Sequence, residues 1–262
     1  MREKTINAKT RLYAILGDPI SHSLSPVIMN SEFDRRDMDC AFLALKSRAG
    51  DMNMVMKALR LFGLEGYVFT MPVKEAAVPY MDELKAEAEI IQAVNCAKNV
   101  DGRLVGYNTD SLGFWRAVQS HNHQKKVVKK AFVLGMGGFA KAAVAQLALQ
   151  GVGEIVVANR LEETAYVESF GRFIERLKNW VPEVQVRCLD WDPQEWKQEL
   201  GDVDLIANGT SNGMYGSGDL GTMFPYDHVA EDAVFFDAVY APLVTEFLKN
   251  AKARGHQTVE GL

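Results

Sequence analysis

The segment Gly135-Met136-Gly137-Gly138-Phe139-Ala140 follows the apolar run 131–134 (AFVL), precedes a helical pattern, and fits G-x-G-x-x-[G/A]. Gly135 permits a tight turn, Gly137 lets the backbone approach a pyrophosphate, and Ala140 allows close packing of helix on strand. A diphosphate would rest on the free N–H groups and positive end of the helix that follows, with Gly138 and Phe139 among the cofactor-binding residues. Glycine turns also merely join strands to helices. The strand-turn-helix context favours dinucleotide binding here. The next apolar run, 154–158, leads into Asn159-Arg160. An Asp or Glu usually stands there to bind the ribose of NAD, whereas the Arg160 guanidinium suits the 2′-phosphate of NADP. Glu162 and Glu163 follow at once and would repel that phosphate. Arg160 can also be read as a solvated charge, with the two acids favouring a helix N-terminus. NAD or NADP therefore both stay open, with a slight lean to NADP.

A second group of polar residues lies earlier in the chain. In Ser21-His22-Ser23-Leu24-Ser25-Pro26, Ser23 and Ser25 are two apart and would point to one side of an extended segment. Hydroxyls beside a helix N-terminus suit a carboxylate ligand. Equally, Ser25 is a good N-cap with Pro26 at the first helical position, and spacing alone does not choose. Thr70-Met71-Pro72-Val73-Lys74, Ala93-Val94-Asn95-Cys96 and Gly106-Tyr107-Asn108-Thr109-Asp110 come next. Taken singly, Lys74 would be a solvated lysine, Asn95 a turn residue and Asp110 a helix cap.

The elements that must position these residues alternate along the chain. Residues 11–16 (RLYAIL), 40–45 (CAFLAL) and 66–70 (GYVFT) read as strands, with a helix from about Pro26 that carries Val27, Ile28 and Phe33. Asp51 is placed to cap a further helix whose Met54, Val55, Ala58 and Leu61 follow the spacing of one buried face. A polar break at 120–126 (SHNHQKK) precedes the second half. There, strands at 131–134, 154–158, 184–188, 205–207 and 233–237 alternate with helices at 139–150, 162–178 and 243–253. Such alternation predicts β-α-β units and largely parallel sheets, in two α/β domains joined near 110–130.

Composition narrows the classes. The chain has 262 residues, of which 48% are hydrophobic and 24% charged, as in a folded globular protein. A net charge of −5 supplies no basic field for nucleic acid. No apolar run reaches the roughly 20 residues of a membrane helix, and Met1-Arg2-Glu3-Lys4 does not open a signal peptide. Cys40, Cys96 and Cys188 form no C-x-x-C pair, so the chain reads as cytoplasmic and without a disulfide framework. His121 and His123 lack carboxylate support, and no metal site is expected. Trp180, Trp191 and Trp196 read as packing residues.

Together the polar segments resemble the shikimate dehydrogenase family. The matching pieces are HSLSP (22–26), T-x-P-x-K (70–74), AVN (93–95), G-x-NTD (106–110), GMGGFAK (135–141), ANR (158–160), N-x-TSNGM (208–214) and D-x-VY-x-P-x-x-T (237–245). The resemblance implies an N-terminal α/β substrate domain with a mainly parallel sheet (1–110), a C-terminal Rossmann dinucleotide-binding domain (111–241) and a cleft between them. It implies a C-terminal helix within 242–262 returning toward the substrate domain, cut short at Glu260-Gly261-Leu262 before an expected glutamine. It also implies hydride transfer between NAD(P)H and the ring ketone of 3-dehydroshikimate. Lys74 and Asp110 then match the catalytic pair. Ser23 and Ser25 would bind the ring carboxylate, with Thr70 nearby in the substrate site, Asn95 would hold a ring hydroxyl, and Tyr240 would reach the substrate from the cofactor side. Met214 would join Asn159 and Arg160 at the cofactor, in the loop that walls the nicotinamide. The third strand departs from the family's N-V-T, placing Val68 where an asparagine is expected. Valine cannot hydrogen-bond a ring hydroxyl, so quinate, aminoshikimate or another cyclic hydroxy acid stays open as substrate. A non-catalytic ligand-binding regulator and, more distantly, a folate-linked dehydrogenase are the rival classes.

Overall fold

The computed structural model describes residues 6–121 and 127–261. Met1-Arg2-Glu3-Lys4, Leu262 and the 122–126 part of the polar break, His123 included, lie outside the described residues. The chain divides into two compact units, Met1–Thr109 and Asp110–Leu262.

In the first unit, β1 (Arg11–Gly17), α1 (Ser25–Arg35), β2 (Cys40–Lys46), α2 (Met52–Leu61) and β3 (Gly66–Phe69) follow the expected alternation. Then come β4 (Glu83–Leu84), α3 (Ala86–Ile91), β5 (Cys96–Val100) and β6 (Arg103–Tyr107). The sheet order is β2-β1-β3-β5-β6-β4. Strands β2, β1 and β3 are parallel, but β5 runs antiparallel to both neighbours. The β5–β6 hairpin turns on Asp101-Gly102, both at positive φ (52° and 85°), the Asp-Gly signature of a tight two-residue turn. Two expectations change. Leu24, not Ser25, occupies the N-cap position of α1. Helix α2 buries Met52, Met56 and Leu59, whereas Met54 and Leu61 are exposed. The helix is apolar on two faces, and both satisfy the three-and-four spacing.

Helix α4 (Thr109–His121) begins on the last residue of the first unit. The second unit continues with β7 (Lys130–Leu134), α5 (Gly138–Leu149), β8 (Glu154–Ala158), α6 (Thr164–Trp180) and β9 (Gln185–Leu189). It closes with α7 (Pro193–Trp196), β10 (Leu205–Asn208), α8 (Leu220–Met223), β11 (Val234–Asp237), α9 (Glu246–Ala253) and β12 (Gln257–Val259). All six strands are parallel, in the order β12-β11-β10-β7-β8-β9. That is the 3-2-1-4-5-6 order of a doubly wound dinucleotide-binding sheet, with its switch point between β7 and β10.

In 242–261, where the resemblance implies a helix returning toward the first domain, the structure has α9 and β12, and β12 completes this sheet. Thr245 caps α9, whose Phe247, Leu248 and Ala251 are buried, and β12 pairs with β11. The apolar face of α9 is satisfied inside the second unit. Phe235 sits at the centre of that core, fully buried, with ring centroids of Phe224, Tyr226, Phe247 and His256 between 4.9 and 5.8 Å away. Phe235→Ala should lower stability by about 3–5 kcal/mol. Chemical denaturation followed by tryptophan fluorescence checks this, and a loss below 1 kcal/mol would contradict the packing described.

Candidate active site

The turn after β7 is shaped by its glycines. Gly135 has φ of +101°, and a Cβ there would lie 2.9 Å from Thr210 Cγ2 and 3.3 Å from Gly209 O. The backbone conformation and the crowding both require glycine. Gly137 and Gly138 meet nothing within 4 Å, so the space above the start of α5 is open to a ligand. Ala140 is buried, and a Cβ on Gly209 would lie 3.1 Å from it. The small side chain thus lets α5 approach the end of β10, as the motif predicts.

Gly135 and Gly137 line a cavity of about 400 Å³ that also contains Asn159, Arg160, Thr210 and Asn212. Of the other residues assigned to the cofactor, Gly138, Phe139, Ala140 and Met214 are not in its lining. The ring of Phe139 stacks on Phe236 at 5.6 Å and meets Phe114 edge-on at 5.9 Å. Its side chain therefore serves packing, while its backbone belongs to the first turn of α5.

At the far end of the cavity, the Arg160 guanidinium lies 5.8 Å from the Trp191 ring centroid. Arg160 Nη1 also stands 3.4 Å from Glu163 Oε1, with both side chains partly solvated. Trp191 and Tyr166 line the same cavity. Asp190 Oδ1 accepts from the N–H groups of Leu161 and Trp191, which hold its carboxyl below the usual range and tie the loops after β8 and β9 together. The packing role expected of the tryptophans holds for Trp196, which is fully buried. For Trp191 it is incomplete. The available signal is position, because Trp191 lies two residues past the end of β9, where doubly wound sheets place ligands.

In the first unit, the polar segments meet through backbone hydrogen bonds. Thr70 N donates to Leu16 O (2.9 Å), Val94 N to Lys74 O (2.9 Å) and Phe69 N to Asn95 O (2.8 Å). A Cβ on Gly17 would collide with Thr70 Cγ2. Thr70 thus closes over the end of β1. Ser23 Oγ accepts from Ser25 N at 3.3 Å, and both serines are half-buried. Lys74 and Asp110 are half-buried too. Asn95 is buried, and its Oδ1 accepts from Thr109 N at 2.8 Å while its Nδ2 donates to Thr109 Oγ1 at 3.0 Å. The turn-residue reading of Asn95 is thereby replaced by a side chain that fixes the residue before Asp110. Val68 packs with Ile15, Phe33 and Phe42 in an apolar cluster beneath α1.

In the second unit, Met214 lies on the loop after β10 and Tyr240, 57% exposed, on the loop after β11. The two loops touch through Tyr215 N, which donates to Ala241 O.

The fold and cradle define an α/β protein with a doubly wound dinucleotide-binding unit joined to a second α/β unit that carries a lysine and hydroxyl-bearing loops at strand ends. The shikimate dehydrogenase substrate binding domain matches residues 15–97. Across 98% of the chain and 86% of the relative, it is 32% identical to the shikimate dehydrogenase (NADP(+)) of Desulforamulus reducens. Among solved structures, the shikimate 5-dehydrogenase of Listeria monocytogenes in complex with shikimate and NAD superimposes with a TM-score of 0.90. It is 31% identical and matches over 98% of this chain and 88% of its own. The quinate dehydrogenase of Corynebacterium glutamicum in complex with NAD superimposes with a TM-score of 0.82 at 26% identity, over 96% and 88%. The chain belongs to the shikimate dehydrogenase family.

Because a Cβ at position 137 meets no protein atom, Gly137→Val should leave the thermal midpoint unchanged yet obstruct the cradle. Dinucleotide affinity should fall by about 10-fold or more, read by titration of tryptophan fluorescence. Unchanged affinity would remove this turn from the cofactor site.

Proposed function

We propose that this chain interconverts 3-dehydroshikimate and shikimate with NADP or NAD, using Lys74 and Asp110 as its catalytic pair. The observation that carries the reading is the glycine turn of the second unit, open above α5 and closed against any side chain at Gly135, in a chain of this family that also holds Lys74 and Asp110. A bound nicotinamide dinucleotide supplies or takes up the hydride. The residues present fit such a group: Gly135 and Gly137 with the first turn of α5 at the diphosphate, and Asn159 and Arg160 at the adenosine end.

Hydride arrival at the ring ketone leaves alkoxide charge, which needs a proton donor within hydrogen-bond reach. Lys74 supplies that proton from its ammonium group and recovers it from the hydroxyl in the reverse direction. Asp110 orients Lys74. Ser23 and Ser25, beside the start of α1, hold the ring carboxylate with Thr70, and Asn95 fixes Thr109 beside Asp110 while serving a ring hydroxyl. Tyr240 contacts the ring acid, and Met214 borders the nicotinamide.

Quinate is the second reading, favoured by Val68. Its side chain is packed among apolar residues under α1 and offers no hydrogen bond to the ring.

At the adenosine end, Glu163 competes with a 2′-phosphate for Arg160, while its carboxylate can accept from a free ribose hydroxyl. Glu163→Gln should shift the ratio of kcat/KM for NADP over NAD upward by about 10-fold, the size of a charge-assisted hydrogen bond. An unchanged ratio in steady-state assays would take Glu163 out of cofactor choice.

Lys74→Ala tests the chemistry itself. Turnover of shikimate should fall by about 10²–10⁴-fold, with dinucleotide affinity retained. Near-wild-type turnover would remove Lys74 from the mechanism.

A further inference from the structure

The segments 208–214 and 237–245 contain three residues with no part in the chemistry above. Asn208 and Asp237 are fully buried, and Thr245 is 1% exposed. Asp237, the last residue of β11, is an acceptor for three donors. Its Oδ1 accepts from Asn208 Nδ2 (2.9 Å) and Val239 N (2.9 Å), and its Oδ2 accepts from Thr245 Oγ1 (2.5 Å).

Asn208, the last residue of β10, works on the other loop. Its Nδ2 also donates to Asn212 O (3.1 Å), and its Oδ1 accepts from Thr210 N (3.0 Å) and Thr210 Oγ1 (2.7 Å). Thr210 Oγ1 in turn accepts from Asn212 N (3.0 Å), and Asn212 Oδ1 from Leu220 N (3.0 Å). Direct contacts join the same two loops. Tyr215 N donates to Ala241 O (2.6 Å), and Gly213, at φ +97°, leaves only 3.3 Å between a Cβ there and Thr245 Cγ2.

A buried carboxylate is expensive, and well-packed apolar side chains of similar volume often serve stability as well or better. Burial also pushes the Asp237 carboxyl upward, against the pull of its three donors. An apolar residue could not, however, accept from three donors on two loops at once. We infer that Asp237, with Asn208 and Thr245, is a positioning unit that holds the Met214 loop and the Tyr240 loop as one body. The inference rests on the reading that these loops serve the nicotinamide and the ring acid. Through this unit, a change at Thr245 reaches Met214, more than thirty residues earlier in the chain.

Thr245→Val keeps the volume and removes the hydroxyl; Thr245→Ala serves if valine overpacks the site; Thr245→Ser restores the hydroxyl. Amide hydrogen exchange in the full chain reads the coupling directly. In Thr245→Val, exchange should rise together across 209–219 and 239–245, stay unchanged across 130–158, and return to the wild-type pattern in Thr245→Ser. At a temperature where the variant is folded, kcat should fall by up to about 10²-fold through misplacement of the loops. A merely structural role would lower the thermal midpoint without moving kcat. A rise in exchange confined to 243–248 would show a lost helix cap alone and overturn the inference, as would an unchanged kcat with both loops loosened. A wild-type chain that oxidises no ring acid would contradict the proposed function instead, and the exchange pattern would still decide this one.

Discussion

The buried amide of Asn95 ties together segments that are far apart in sequence. Its backbone carbonyl accepts from Phe69 at the end of β3, and its N–H donates to Tyr107 O at the end of β6. Its side chain holds Thr109 through both the backbone N–H and the hydroxyl. The neighbouring Val94 N–H holds the carbonyl of Lys74. Leaving such a buried amide unpaired costs about 1–3 kcal/mol per group, so the arrangement is strongly specified. Phe69, Lys74 and the start of α4 are each fixed by bonds to this one short segment.

The second unit uses the same device. Asn208 and Asp237 end neighbouring parallel strands, and their side chains leave the sheet as hydrogen-bond hubs for the loops that follow. Parallel strands that end in register gather their loops at one edge, and buried polar side chains then give those loops definite shapes. In both units the apolar sheet supplies stability and a few amides and carboxylates supply position. The glycines add the complementary requirement, since Gly135 is crowded out of any side chain while Gly137 leaves room for a ligand.

Much of this was legible in the sequence. The strands ending at Gly17 and before Thr70, Gly135, Asn159 and Ala238 stand out as apolar runs, and the strand-turn-helix context of Gly135 to Ala140 identifies the glycine turn. The parallel order of the second sheet follows from the alternation of its elements. What escaped has physical reasons. The β5–β6 hairpin is short and polar, and its Asp101-Gly102 turn was the available cue. Helix α2 has two apolar faces, so periodicity alone could not choose the buried one. The resemblance implies a helix within 242–262 returning toward the first domain, while the pattern of Phe247, Leu248 and Ala251 only requires some apolar surface to cover. Trp191 looked like a packing residue because tryptophan usually is one, and its place at a strand end became informative only once Arg160 lay over it. The partnership of Asn95 with Thr109, fourteen residues apart, is a tertiary contact that no local pattern encodes.

Initial rates of cofactor reduction with shikimate and with quinate, each offered NADP and NAD in turn, decide whether this chain is a working ring-alcohol dehydrogenase. Reduction is expected with shikimate, with NADP preferred over NAD through Arg160. Intact dinucleotide binding without reduction by either ring acid would contradict it.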